Sequence, residues 1–148
     1  KLIDRYYRPH HQALEACTST CVGQLGRCLI IDCHSFPSVP LPYEDYQDSD
    51  RPDICIGTDD FHTPKQIENK IIQIFNRLGF RTAINRPFSG SIVPMKFYQR
   101  EPQVMSVMIE INRKLYLDEK SGKKHDGFEA LRRKLGDAIS RIKAIAVQ

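Results

Sequence analysis

The fold turns on Cys28-Leu29-Ile30-Ile31-Asp32-Cys33-His34-Ser35. An unbroken apolar run, Cys28–Ile31, leads into Asp32 and His34. Such a run suits a strand buried on both faces, the habit of a parallel sheet sheltered by helices. Polar groups collect where the run ends, and in open α/β sheets chemistry gathers at the carboxyl ends of strands.

The flanks support this reading. Upstream, Pro9 suits the first turn of a helix, and Leu14, Cys17, Cys21 and Leu25 share one helical face before Gly26. Downstream, the stretch 35–52 is rich in proline and acid, with Pro37, Pro40, Pro42, Glu44, Asp45, Asp48 and Asp50. It reads as a long loop, and long loops in compact domains are commonly functional. Asp53–Gly57 is a second short strand. Thr63 is placed to cap a helix, with Pro64 in its first turn and Gln66 closing a capping box. Ile67, Ile71, Ile74, Phe75 and Leu78 form its buried stripe, and Gly79 ends it. Arg81–Asn85 is a third strand, 87–91 a turn-rich loop, and Val104–Ile111 a fourth strand with alternating faces. Asp126 and Glu129 open a last helix carrying Phe128, Leu131, Leu135, Ile139 and Ile142. Strands alternating with amphipathic helices predict an α/β fold, a mixed, mainly parallel sheet flanked by helices.

Composition narrows the class. A chain of 148 residues fits a single domain, 1–148, able to bury about 70% of its unfolded surface. With 41% hydrophobic and 27% charged residues it is neither a disordered tail nor a collagen-like or coiled-coil rod. No apolar run approaches the roughly 20 residues that span a bilayer, so no membrane partner is expected. The net charge of +4 is spread along the chain. Lys123-Lys124 and Arg132-Arg133-Lys134 do not form the dense basic stripe of a nucleic-acid binder, so no nucleic-acid partner is expected. The 5 cysteines are odd in number and lack a Cys-x-x-Cys pair. They read as thiols packed in a reducing compartment, which places the protein in the cytoplasm.

Three groups carry candidate chemistry. His34 ends the apolar run, with Asp32 two residues before it and Ser35 after it. A neutral imidazole there suits a metal ligand or a general base, and Asp32 shares its face. The alternative is a histidine hydrogen-bonded at a loop start. Glu110 sits inside Met108-Ile109-Glu110-Ile111, on a face with Ser106, Met108 and Asn112. Burying a carboxylate there is costly unless it is paired or in a cleft, and burial raises its pKa toward that of a useful general base. The alternative is an ion pair with Arg113 or Lys114. Arg86, Ser89 and Gly90 make a turn that offers N–H groups and a guanidinium to an anion, or a plain turn; the pattern is not a nucleotide phosphate loop. His10, His11, His62 and His125 read as surface, capping or packing residues.

Together these stretches resemble the N-formylglutamate amidohydrolase family. The matching segments are Tyr6-Tyr7-Arg8-Pro9-His10-His11, Leu29 to Ser35, Arg51-Pro52-Asp53-Ile54-Cys55-Ile56-Gly57, Asn85-Arg86-Pro87-Phe88-Ser89-Gly90, and Ile109 to Glu119. The resemblance implies a three-layer sandwich similar to the zinc carboxypeptidases. It implies zinc held by an early histidine and glutamate and by a later histidine, to which His34 is similar. Asp32 and Ser35 would orient that histidine. Glu110 is similar to the general base, which takes a proton from zinc-activated water and passes it to the leaving amine. The implied substrate is a small formylated or acylated amino acid, giving formate and glutamate in the family's named reaction. Arg86, Ser89, Gly90 and Arg113 would hold the substrate, Arg113 alternatively bracing Glu110. The family's first metal ligands precede its Tyr-Tyr-Arg-Pro region, whereas this chain begins at Lys1. The expectation is therefore the C-terminal portion of the catalytic domain, with an incomplete zinc site and apolar surface that favours self-association. A second class is a short non-catalytic relative that binds a small acidic ligand or a partner chain.

Overall fold

A computed structural model describes residues 1–146, so the last two positions of the expected domain lie outside the described residues. A π-helical turn, Ile3–Tyr7, runs into helix α1 (Arg8–Leu25). Then come β1 (Cys28–Phe36), β2 (Ile54–Gly57), α2 (Lys65–Arg77), β3 (Thr82–Ile84) and β4 (Val104–Asn112). A short 3-10 turn, Arg113–Leu115, and α3 (Gly127–Ala146) follow.

The sheet order is β1-β4-β2-β3. β1 runs parallel to β4 and β2 parallel to β3, while β2 and β4 meet antiparallel. The sheet is thus mixed and mostly parallel, as read from the sequence. The apolar run of β1 packs on both faces, as expected. Among the described residues β1 is an edge strand, and helices pack against both its faces. Cys28 and Ile30 pack with Leu14, Cys21 and Val22 of α1 and with Phe97 and Val104. Leu29 and Ile31 pack on the opposite cluster, built from Ile71, Ile74 and Phe75 of α2, Leu131, Ala138 and Ile142 of α3, and Ile54 and Ile56 of β2. Each fully buried aliphatic or aromatic side chain there contributes about 1.5–3 kcal/mol.

Two element details depart from expectation. On α1 the buried residue is Thr18, while Cys17 and Leu25 are exposed. Thr18 turns its hydroxyl onto the Leu14 carbonyl at 2.8 Å, so its methyl packs inward with the polar atom satisfied. Gly26 then ends α1 in the left-handed region at φ 72, its N–H bonded to the Val22 carbonyl. At α2 the expected Thr63 cap does not form. The Thr63 hydroxyl instead donates to the Ser106 carbonyl at 2.7 Å and accepts from Asp59 N–H at 2.9 Å. A buried strand carbonyl without that donor would be costly, so β4 wins the hydroxyl from the helix end.

His62 is fully buried beside it. Its Nδ1 lies 2.7 Å from the Val104 carbonyl, and its Nε2 accepts from Gln99 N–H at 2.9 Å. Both nitrogens are used, so this histidine fastens the 97–104 segment to the turn before α2. His125 caps α3, its Nδ1 accepting from Gly127 N–H at 2.9 Å.

Candidate active site

Register brings the site together. His34 pairs with Glu110, and Glu110 pairs with Cys55 on its other side. Side chains directly opposite across a sheet share a face. His34, Glu110 and Cys55 therefore form one row near the carboxyl ends of β1 and β4, with strands about 4.8 Å apart. β1 continues to Phe36, so Asp32 and His34 both lie within the strand and on this same face. The expected loop start falls later because β4 keeps pairing as far as Asn112.

Glu110 is only 7% exposed. Its Oε2 is buried with no hydrogen-bond partner among the described residues. Burial pushes its carboxyl above the ordinary value, the neighbouring His34 and Arg113 pull it down, and Asp32 and Glu44 push it further up. No ion pair joins Glu110 to Arg113 or Lys114 among the described residues. Lys114 reaches toward Asp53 at 4.0 Å, and Arg113 acts on Glu110 only through its field. His34 is half exposed, and its Nε2 lies 2.8 Å from Asp32 Oδ1. The carboxylate holds the ring through Nε2, and the side chain stays half open to solvent.

The remaining site residues are placed as follows. Arg113, expected among the substrate-holding residues, donates to Ser35 Oγ at 3.1 Å and to the Ser35 carbonyl at 3.0 Å. It clamps the end of β1 just after His34. Ser35 meets Arg113 rather than His34. Ser89 and Gly90 lie in the loop that crosses β2, where a Cβ on Gly57 would run into the Gly90 carbonyl. Gly57 lets that loop lie flat on the strand. Arg86 stacks its guanidinium 5.4 Å from the Tyr46 ring centroid. It lines a cleft of about 260 Å³ with Asp48, Asp50, Arg51 and Arg81, a cleft that neither His34 nor Glu110 lines. Arg86 and Glu110 are thus not brought into one cavity.

Sequence reasoning missed a buried pair beside the site. Arg51 is 2% exposed and donates to the Glu44 carboxylate, which is 8% exposed. It also donates to the Pro37 carbonyl at 3.1 Å and the Tyr46 carbonyl at 3.2 Å. Its guanidinium lies against the rings of Phe36 and Phe88, at 5.8 and 6.0 Å. Cys55 was missed as well, its thiol donating to the Phe88 carbonyl at 3.2 Å. The signal available in advance was slight: one arginine at the end of a run of acids.

A catalytic zinc takes about three protein ligands and a water. Among the described residues no group of three or more His, Cys, Asp or Glu side chains converges in that way. The unpartnered Glu110 oxygen and the half-exposed His34 are suited to chemistry, but the described residues do not by themselves make up a zinc site. No described helix is long and apolar enough to cross a membrane.

A buried carboxylate held toward its protonated form, beside an imidazole fixed by a second carboxylate, defines an α/β protein with a candidate acid–base site at its strand ends. The chain belongs to the N-formylglutamate amidohydrolase family, whose sequence profile covers residues 1–117. It is similar to the crystal structure of N-formylglutamate amidohydrolase from Ralstonia eutropha JMP134, at 26% identity and a TM-score of 0.84. That match covers 98% of this chain and 54% of that one. A gene product of Agrobacterium tumefaciens shares the fold alone, at 17% identity and a TM-score of 0.59, over 95% of this chain and 52% of that one. The chain thus spans about half the length of these solved structures. No curated protein matches it.

Proposed function

We propose that this chain is part of an amide hydrolase acting on an N-formyl or N-acyl amino acid such as N-formylglutamate. The observation that carries the reading is Glu110, buried with an unpartnered oxygen in the same sheet row as the half-exposed His34. Family membership and the likeness to the Ralstonia eutropha enzyme support the reaction class.

Glu110 would take a proton from the attacking water and return it to the departing amine nitrogen. The amide C–N bond breaks as the acyl carbon gains the water oxygen. Burial suits Glu110 to both halves, because it brings the carboxyl toward the range where it can accept and release a proton. Asp32 would orient His34, which in a zinc enzyme would supply one ligand of a set that the described residues do not complete. Ser89 and Gly90 are proposed to meet a substrate carboxylate, while Arg86 stays in the neighbouring cleft and Arg113 acts by holding Ser35. A second reading, a non-catalytic module that binds a small acidic ligand, draws on the cleft where Arg86 lies over Tyr46.

The test is Glu110→Gln in the whole protein, followed by formate release from N-formylglutamate. Glutamine keeps the shape and removes the base, so turnover should fall by about 10²–10⁴-fold with folding intact. Unchanged turnover would overturn the role of Glu110. No turnover in the wild type, together with binding of N-formylglutamate that Arg86→Ala removes, would favour the second reading.

A further inference from the structure

Three of the cysteines gather where α1 hands over to β1, a place the proposed reaction does not use. Cys17 and Cys21 lie one turn apart on α1, and Cys28 opens β1. Cys17 is exposed, Cys21 partly exposed and Cys28 buried. The left-handed turn at Gly26 folds Cys28 back beneath the helix, where it packs with Cys21. The Cys21 thiol donates to the Arg27 carbonyl at 3.4 Å. That carbonyl immediately precedes Cys28, and Cys21 packs against the buried cluster to which Cys28 belongs. The other two cysteines stand apart: Cys33 is on the opposite sheet face and Cys55 is bonded to Phe88. The trio makes no metal-holding group.

We propose that Cys21 and Cys28 form an oxidisable dithiol that hydrogen peroxide closes to a reversible disulfide. Peroxide meets Cys21 first, because Cys21 is the more accessible of the pair. Burial above all, with the neighbouring Cys21 thiol added, pushes the Cys28 thiol up to about 12 and keeps it protonated. The Cys21 sulfur attacks one peroxide oxygen, the O–O bond breaks, and water leaves a sulfenic acid. The Cys28 sulfur then attacks the Cys21 sulfur, and the S–O bond breaks. The hydroxyl departs with the Cys28 proton as a second water. Two thiols lose two electrons and one peroxide becomes two waters. The geometry brings the pair together: the Cys21 sulfur lies 3.4 Å from the carbonyl that leads into Cys28, and both side chains belong to one packed cluster. The bridge would tie the last turn of α1 to the first residue of the strand that carries Asp32 and His34.

The proposal is independent of the amidohydrolase reading and is tested without any assay of turnover. The reduced, folded chain is treated with hydrogen peroxide, remaining thiols are alkylated, and intact mass and digested peptides are measured. The expected result is loss of two hydrogens per chain, mapped to Cys21–Cys28 and reversed by dithiothreitol. Cys17→Ser, which leaves the pair intact and changes an exposed residue, should form the same bridge. Cys28→Ala should instead leave Cys21 as a sulfenic or more oxidised acid. A bridge between Cys17 and Cys21, oxidation confined to Cys17, a bridge that forms only in denaturant, or none at all would overturn the proposal.

Discussion

At Glu110 two opposing influences act on one carboxylate. Removal from water raises its pKa, and the field of His34 and Arg113 lowers it, with burial the larger. A carboxyl whose folded pKa lies above its ordinary 4.5 stabilises the fold when protonated. That contribution is fully present below the unfolded value and is lost as pH rises through the folded one. Glu110→Gln, which cannot ionise, should therefore melt at or above the wild-type temperature at neutral pH. The gap should close as the solution is acidified toward pH 4.5, read by thermal melts across the range. A clear destabilisation at neutral pH would mean that the carboxylate is held by a structural partner. His62 gives the contrasting case of a buried polar residue that is fully satisfied. His62→Ala leaves the Val104 carbonyl and the Gln99 N–H without partners. Each unsatisfied group costs about 1–3 kcal/mol, so urea denaturation should show at least that loss.

Among the elements, the loop between β1 and β2 depends most on one side chain. Arg51 ties Glu44 and the carbonyls of Pro37 and Tyr46 to the face where Phe36 and Phe88 meet. Removing one partner of a buried ion pair costs about 3–5 kcal/mol, because the other charge stays desolvated. Arg51→Met should lose stability on that scale. It should also speed amide hydrogen exchange through residues 37–50, while exchange in α2 and β4 changes only with global stability. Glu44→Gln together with Arg51→Met removes both charges and should recover part of the loss. The hydroxyl of Thr63 follows the same logic on a smaller scale: a buried carbonyl of β4 outcompetes the helix terminus. Sequence reading placed the strands and helices within a few residues but missed these side-chain choices, because each depends on a partner tens of positions away.

For the whole molecule, the absence of a converging ligand set among the described residues sets an expectation. Equilibrium dialysis of the 148-residue chain against zinc should show less than stoichiometric tight binding, and no formate should be released from N-formylglutamate. Tight binding with turnover would mean that the ligands come from residues not recognised here. The same chain presents Leu2, Ile3, Tyr6 and Tyr7 at 59–73% exposure, and among the described residues β1 is an edge strand. Exposed apolar surface and open strand edges each promote association. Sedimentation should then show mass rising with concentration, and Ile3→Lys with Tyr7→Lys should suppress it.

The sequence by itself determined the alternation of elements and named His34 and Glu110. Local signals suffice for both: an apolar run, a helical stripe, a glycine stop, and a carboxylate stranded among Met108, Ile109 and Ile111. Strand alternation alone also put Asp32 on the His34 face. Only the tertiary structure decided that His34 and Glu110 are register partners, since residues 76 apart are paired by the sheet and by nothing local. It decided that Arg113 serves Ser35, that Arg86 belongs to a neighbouring cleft, and that Arg51 and Glu44 form a buried pair. The physical reason is the same in each case. A charged side chain takes the partner that best offsets its loss of water, and that partner is fixed only once the chain has folded back on itself.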